Sequence, residues 1–115
     1  MDTMTQKKYE ARAAVMKALA HPTRLYMVEE LQKGAQCVCK LQELIGADMS
    51  TVSKHLSVLK SAGLVYDKKE GTTVYYFLKM PCVSEFISCV DTVIQRNATE
   101  QLEVARCCIK GAQQL

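Results

Sequence analysis

Apolar residues recur every three or four positions along the first third of the chain, which is the spacing of an α-helix with one buried side. Residues 7–19 are predicted to form such a helix. A second helix is predicted over residues 22–33, because Pro22 suits a first helical turn and Gly34 can end the helix. The apolar side of the first helix comprises Ala11, Ala14, Val15, Ala18 and Leu19.

Two shorter helices joined by a tight turn are predicted next. The first covers residues 37–45 and the second covers residues 49–62. Gly46 permits the sharp turn between them, and Gly63 ends the second helix. The apolar residues that would pack the two together are Leu41, Leu44 and Ile45 on the first and Val52, Leu56 and Leu59 on the second. This layout is that of a helix-turn-helix.

The hydrophobic pattern changes its period after the fourth helix. β-Branched and aromatic residues dominate residues 64–66 and 73–78, which is typical of strands, and residues 67–72 are predicted as the loop of a hairpin. Residues 82–110 return to helical spacing and are predicted as one long helix. The sequence therefore predicts a mainly α fold with a β-hairpin, as a single domain over residues 1–115.

The long last helix indicates that the chain works as a dimer. A domain of this size cannot cover all of the apolar residues in this helix, and a second copy of the chain would do so. These residues are Phe86, Val90, Val93, Ile94, Leu102, Val104 and Ile109. We therefore expect a homodimer joined by residues 82–110, with help from residues 7–19.

The polar side of the fourth helix suits contact with double-stranded DNA. It offers hydroxyl, ammonium and imidazole groups and no carboxylate, which would repel phosphate. The candidate residues are Ser50, Thr51, Ser53, Lys54, His55 and Ser57. Lys68 and Lys69 add positive charge in the hairpin, although Asp67 and Glu70 offset part of it. The same pattern also fits a helical hairpin with a solvated face, and the following hairpin, a natural wing, favours DNA.

Composition and charge are compatible with this interpretation. The net charge of +3 and the pI of about 8.5 permit nucleic-acid binding without requiring it. No signal peptide or apolar run of membrane-spanning length is evident, so we expect a cytoplasmic protein with no membrane partner. The cytosol keeps thiols reduced, so the six cysteines are not expected to form structural disulfides. The sequence shows neither an acid–base pair nor a phosphate-binding glycine loop, so we do not expect an enzyme.

Three stretches carry a resemblance to a known family. Residues 18–25 read Ala-Leu-Ala-His-Pro-Thr-Arg-Leu, and residues 50–65 read Ser-Thr-Val-Ser-Lys-His-Leu-Ser-Val-Leu-Lys-Ser-Ala-Gly-Leu-Val. Both resemble the ArsR/SmtB family of metal-sensing bacterial repressors, as does Glu-Gly-Thr-Thr-Val-Tyr-Tyr at residues 70–76. The resemblance covers about residues 14–78.

This resemblance implies a dimeric winged helix-turn-helix protein. The helix-turn-helix would lie at about residues 37–62 and the wing at about residues 64–79. The helices at about residues 7–19 and 82–110 would form the dimer interface. The resemblance also implies a repressor that leaves its operator when an inducer binds, which releases an operon for efflux or detoxification.

Cys37 and Cys39, at the start of the helix-turn-helix, are the candidate inducer ligands. A helix N-terminus favours the thiolate form through its dipole and free N–H groups, and two nearby thiolates can chelate a soft ion. Their Cys-Val-Cys stretch resembles the arsenic-responsive branch of the family, which implies As(III) or Sb(III) as the inducer. That branch often has a third cysteine three residues later, where this chain has Gln42.

Cys107 and Cys108 could supply a further ligand. Two alternatives are open: a composite site of Cys37, Cys39 and one of this pair, or two separate sites. Adjacent helical residues point about 100° apart, so one ion between Cys107 and Cys108 would need irregular backbone. The remaining two cysteines, Cys82 and Cys89, are interpreted as packing residues.

Other sensing sites known in this family fit the sequence poorly. Its zinc sensors carry Asp and His ligands on the last helix, whereas the two histidines here are His21 and His55. Its persulfide sensors use a cysteine in the second helix, which has none here, and residues 1–36 lack the cysteines of its cadmium/lead branch. His21 is interpreted as a helix-junction residue.

The sequence therefore predicts a DNA-binding transcriptional repressor that needs no cofactor and is released from its operator by As(III) or Sb(III). The alternative is the same repressor switched by thiol oxidation or by another soft metal ion. A module that binds a protein instead of DNA is disfavoured, because the basic helix and the wing are both intact.

Overall fold

The computed structural model describes the backbone of residues 1–114 and the side chains of residues 1–109. Its elements are α1 (Thr3–Leu19), α2 (Pro22–Gln32), β1 (Gln36–Cys37), α3 (Val38–Ile45), α4 (Met49–Ser61), β2 (Val65–Glu70), β3 (Thr73–Leu78) and α5 (Val83–Gln114). The chain divides into two compact units, Met1–Val83 and Ser84–Leu115. The predicted mainly α class with a β-hairpin is confirmed.

The core of the first unit lies where α2, α3 and α4 meet the sheet. Its largest fully buried side chains are Met27, Val28, Leu41, Val52, Leu56, Leu59, Val65 and Val83. The predicted buried stripe of α4 is therefore confirmed. Burial of one such side chain contributes about 1.5–3 kcal/mol, so this stripe fixes α4 firmly to the body of the unit.

Helix α1 begins earlier than predicted. Asp2 caps it, because its carboxylate accepts a hydrogen bond of 2.7 Å from the backbone N–H of Thr5. Only Ala18 and Leu19 of the predicted apolar side are buried, near the point where α1 meets α2. Most of α1 is thus exposed in the single chain.

The turn of the helix-turn-helix forms as predicted. Gly46 ends α3 in the left-handed conformation with φ +76°, and its N–H donates to the carbonyl of Gln42 at 2.9 Å. Asp48 then caps α4, because its carboxylate accepts a hydrogen bond of 2.9 Å from the N–H of Thr51. These two local bonds fix where α4 begins.

The prediction of a loop over residues 67–72 is wrong. Strand β2 continues to Glu70, which is opposite Thr73, so that only Gly71 and Thr72 form the turn. Gly71 has φ +63°, whereas Thr72 does not have a positive φ, as in a type II′ turn. Pairing with the β-branched and aromatic residues of β3 outweighs the low strand propensity of Asp, Lys and Glu.

The sheet has a third strand that the sequence pattern did not predict. Strand β1 pairs antiparallel with β3, with Gln36 opposite Tyr76 and Cys37 opposite Tyr75, which gives the strand order β1-β3-β2. The strand is two residues long and thus too short for an alternating pattern. Its effect is to place Cys37 beside the hairpin.

Helix α5 is longer than the predicted range 82–110. In the single chain it exposes the apolar side chains of Val90, Val93, Ile94, Leu102, Val104 and Ile109. Within the part of the chain that the structure describes, no helix combines the length and apolarity needed to cross a membrane.

Candidate DNA interface and cysteine pair

The exposed side of α4 carries most of the predicted DNA-contacting residues. The side chains of Ser50, Thr51, Ser53, Lys54 and Ser57 are all exposed. Asp48, which was not predicted to lie in this region of the surface, adds a carboxylate at its start. Hydrogen bonds from Thr51 hold the pKa of Asp48 below its ordinary value, so the cap stays charged at neutral pH. That charge is directed to the first turn of α4.

His55 differs from the other predicted residues of α4 because it is partly buried. Its ring centroid lies 4.4 Å from that of His21, and its Nδ1 atom lies 3.2 Å from a guanidinium nitrogen of Arg24. Burial, followed by the effects of His21 and Arg24, lowers the pKa of His55. Its ring therefore contacts the start of α2, while part of it stays exposed on the surface of α4.

His21 and Arg24 hold the junction that the sequence placed at His21. His21 is the N-cap of α2, and its Nδ1 accepts a hydrogen bond of 3.1 Å from the N–H of Thr23. This confirms the interpretation of His21 as a helix-junction residue. Arg24 was not predicted to have a role, although it belongs to the stretch of residues 18–25 that carries the family resemblance.

Lys68 and Lys69 lie on β2 rather than in a loop. They are opposite Tyr75 and Val74, and successive residues of a strand point to opposite faces. The ammonium of Lys68 lies 5.6 Å from the ring centroid of Phe77, which stacks on Tyr66. Such a cation–π contact contributes about 0.5–1 kcal/mol at exposed sites. The two lysines therefore present their charges on different sides of the wing.

An ion pair connects α4 to the wing. Lys60 Nζ lies 2.8 Å from a carboxylate oxygen of Asp67. The hydrogen bond from Lys60 lowers the pKa of Asp67, and the same bond raises the pKa of Lys60. The negative charge of Asp67 is thus balanced within the protein, which leaves the positive charges of Lys68 and Lys69 less offset.

Cys37 and Cys39 are brought together at the start of α3. Cys37 is the N-cap, and its Sγ accepts a hydrogen bond of 3.3 Å from the N–H of Lys40. The two sulfur atoms are joined as a disulfide, with the Cα atoms 5.4 Å apart. The expectation of free thiols is therefore wrong for this pair in this structure. The extended backbone of Cys37 turns its side chain over the first helical turn, toward Cys39.

The other four cysteines are free and exposed. Cys107 and Cys108 lie on α5, and the expectation that Cys82 and Cys89 are packed is wrong for the single chain, where both are exposed. Within the described side chains, no three His, Cys, Asp or Glu residues are grouped as metal ligands. The reduced Cys37–Cys39 pair can offer two thiolates to one soft ion.

The fold and these surfaces define a class of protein. A tightly turned helix pair with an exposed polar and basic second helix, followed by a β-hairpin, is a winged helix-turn-helix DNA-binding protein. Residues 21–67 match the family described as bacterial regulatory protein, arsR family.

Comparison with individual proteins agrees with this match. The chain is 41% identical over 86 residues to an HTH-type transcriptional regulator of Methanocaldococcus jannaschii, covering 74% of this chain and 97% of that protein. It is 39% identical over 83 residues to the arsenical resistance operon repressor of Bacillus subtilis, covering 71% and 76%.

A solved structure is similar over most of the chain. It is a homodimeric winged helix-turn-helix DNA-binding domain of Mycobacterium bovis, itself a possible ArsR-family transcriptional regulator. The TM-score is 0.72 at 29% identity, and the match covers 87% of this chain and 93% of the other. This chain belongs to the arsR family of bacterial regulatory proteins, and it is a transcriptional regulator with a DNA-binding helix-turn-helix rather than an enzyme.

Proposed function

We propose that the chain is a homodimeric repressor of a detoxification or efflux operon, acting in the cytoplasm and released from its operator by As(III) or Sb(III). The observation that carries this proposal is the contact of Cys37 with Cys39 at the first turn of α3. The arsenical resistance operon repressor of Bacillus subtilis, to which the chain is similar, supports this choice of inducer.

The proposed DNA interface combines α4 with the wing. Lys54, Lys68 and Lys69 would neutralise phosphates, while Ser50, Thr51, Ser53 and His55 are the candidates for base edges. In a homodimer paired through α1 and α5, two copies of α4 would meet half-sites about one DNA turn apart. A partly palindromic operator follows from that two-fold symmetry.

The proposed release begins at α3. A trivalent ion bound by the reduced thiolates of Cys37 and Cys39 would hold the first turn of α3, on which the capping hydrogen bond to Lys40 depends. Helix α3 packs against α4, so a shift at its start reorients the DNA-reading helix. By linkage, the ion would bind the DNA-bound form more weakly by the same factor.

The test uses fully reduced protein and operator DNA. The double variant Cys37→Ser, Cys39→Ser should bind the operator normally and should no longer be released by arsenite. The matched control is Cys82→Ser, Cys89→Ser, which should be released like the wild type. Release of the Cys37→Ser, Cys39→Ser variant at the wild-type arsenite concentration would place the sensing site elsewhere.

Substitution of Cys107 and Cys108 distinguishes one composite sensing site from two separate sites. If Cys107→Ser, Cys108→Ser also abolishes release, one of these residues is part of a composite site with Cys37 and Cys39. If release is unchanged, the site at α3 acts independently. X-ray absorption at the arsenic edge gives the number of sulfur ligands in each variant.

Thiol oxidation is a second candidate signal, and the joining of Cys37 to Cys39 favours it. Oxidation of the two thiols to the disulfide releases two protons and two electrons to an oxidant such as a peroxide or another disulfide. Release of operator DNA by a disulfide oxidant without arsenite, reversed by a dithiol reductant, would favour this candidate. Release by Cd(II) instead would favour another soft metal ion.

A further inference from the structure

Arg24 connects three helices of the first unit through two hydrogen bonds. Its Nε donates to the backbone carbonyl of Ala18 at 2.6 Å, and Ala18 lies in the last turn of α1. A terminal nitrogen lies 3.2 Å from Nδ1 of His55, on α4. Arg24 itself is in the first turn of α2 and is partly buried. One guanidinium therefore links the end of α1 to the middle of α4.

The contact with Arg24 determines the protonation state of His55. A guanidinium only donates hydrogen bonds and stays charged, so Nδ1 of His55 must be the acceptor and its ring proton must sit on Nε2. A protonated imidazole has a donor at both nitrogens and cannot accept this bond. Protonation of His55 therefore breaks the link and places two positive charges in contact.

The groups that the structure places next to His55 are basic and would not balance an added positive charge. His21 faces its ring at 4.4 Å, Arg24 contacts it from α2, and Lys17 of α1 lines the same cleft as Arg24. Among residues 1–109 the ion pairs involve other lysines, at positions 33, 40 and 60, and no carboxylate pairs with this cluster. Within residues 1–109, the charged groups that affect His55 are therefore the basic side chains of His21 and Arg24.

We propose that Arg24 is a positioning residue for DNA binding, which holds α4 in its DNA-binding orientation only while His55 is neutral. This inference rests on the proposed role of α4 as the DNA-reading helix. Mild acidification then loosens α4 and lowers the affinity for DNA. A histidine that merely faced phosphate would have the opposite effect, because its protonation would strengthen binding.

The stability of the fold should change with pH in the same direction. Burial lowers the pKa of His55 below its ordinary value of 6.5, so the unfolded chain takes up this proton before the folded chain does. The contribution of neutral His55 to the free energy of unfolding is therefore fully present above pH 6.5 and is lost as the pH falls through the lower pKa of the folded chain. Both the affinity for DNA and the stability of the fold therefore decrease as the pH is lowered.

The test measures DNA binding at pH 7.5 and pH 5.5 at constant ionic strength, with a duplex that the wild type selects from a random pool at pH 7.5. The wild type should bind more weakly at the lower pH, by up to about tenfold where His55 is fully protonated, the effect of losing one charge-assisted hydrogen bond. Arg24→Met should already be about tenfold weaker at pH 7.5, with little further loss. The control Lys33→Met, which removes an exposed cation beyond α2, should behave like the wild type.

The variant His55→Asn separates the effect of protonating His55 from the effect of losing its hydrogen bond with Arg24. The Asn side-chain oxygen can accept from Arg24 near the position of Nδ1 and does not titrate, so the ratio of its two Kd values should approach one, whatever its affinity at pH 7.5. In the wild type, proton–nitrogen NMR should show the Nε2–H form of His55, and Arg24→Met should raise the pKa of His55. If Arg24→Met does not fold, the wild type and His55→Asn decide the question.

Three outcomes separate the hypotheses. A wild-type response that persists in His55→Asn, or an Nδ1–H form of His55, overturns the inference. Loss of affinity in Lys54→Ala without any loss in folded Arg24→Met also overturns it, while the DNA interface stands. If Lys54→Ala binds DNA like the wild type, it is the proposed interface that fails.

Discussion

Lys54 is the exposed cation at the centre of the proposed DNA interface, and its effect should not depend on DNA sequence. Lys54→Ala should weaken binding to operator and unrelated DNA alike. The slope of log K against log salt should shrink by about one for each phosphate that a protomer no longer neutralises. Fluorescence anisotropy over a salt series measures both. The control Lys33→Ala should leave the slope unchanged.

Ser53 offers a hydroxyl on the same side of α4, and its role should depend on sequence. Removal of its hydrogen bond to a base in Ser53→Ala should lower the affinity for the operator by about 1–3 kcal/mol and relax the choice of base at one position. Binding to unrelated DNA should change little. Equal losses on both kinds of DNA would instead assign Ser53 to the phosphates.

Single residues show where sequence reasoning about the site succeeds. Exposed side chains such as Lys54 follow from helical periodicity, because the buried stripe of α4 leaves them outward. The pairing of Arg24 with His55 could not be foreseen in this way, since it joins residues 31 positions apart on different helices. Their contact depends on the packing of α2 against α4, which no local pattern specifies.

Gly46 shows how one element boundary depends on backbone conformation. Its φ of +76° is strained for any residue with a Cβ, although no atom lies within 4 Å of a Cβ built there. Gly46→Ala should therefore lower the free energy of unfolding by about 1–2 kcal/mol through backbone strain alone. Urea denaturation measures this, and Gly46→Asn should be milder because Asn tolerates this conformation better.

The cap of α4 should make the start of this helix sensitive to acid. Hydrogen bonds from Thr51 lower the pKa of Asp48, so its contribution is present above the pKa of the unfolded chain and is lost as the pH falls through the folded value. Asp48→Asn can still accept a hydrogen bond and should remove this part of the acid dependence, which urea denaturation over a pH series measures. A wild-type acid profile in Asp48→Asn would contradict this role.

The wing is the element that the sequence predicted least well. The strong strand character of residues 73–78 was visible, but Asp67, Lys68, Lys69 and Glu70 lack it and were assigned to a loop. Their strand conformation comes from pairing with β3, and a two-residue turn at Gly71 makes that pairing possible. Pairing with a distant strand therefore determined the conformation of residues 67–70, whose own strand propensity is weak.

At the scale of the whole molecule, the exposed apolar side of α5 should determine assembly. Ile94→Asp with Leu102→Asp should convert the proposed dimer into monomers, because the charges would be buried in the interface. Sedimentation velocity measures the change. Thr92→Asp is the matched control, because helical periodicity places it on the side of α5 away from Ile94. A dimer that persists with both substitutions would refute this interface.

The sequence predicts dimerisation because α5 has more apolar residues than a single small chain can cover, and the exposure of these residues in the single chain agrees with that prediction. The number of ligands at the cysteine site could not be predicted in this way. Cys37 and Cys39 adjoin through the local geometry of one helix start, whereas any third ligand depends on an arrangement of distant segments or of two chains. The single-domain organisation of residues 1–115 likewise stays a prediction.

The short pairing of Cys37 with Tyr75 would give an ion bound at the proposed site a direct route to the hairpin. A change at Cys37 would strain the backbone of β3 without first passing through the helices, so the wing and α4 would each respond to the same proposed site. Amide hydrogen exchange reports this directly. Arsenite should accelerate exchange across the β1–β3 pairing in free protein, before any operator is present.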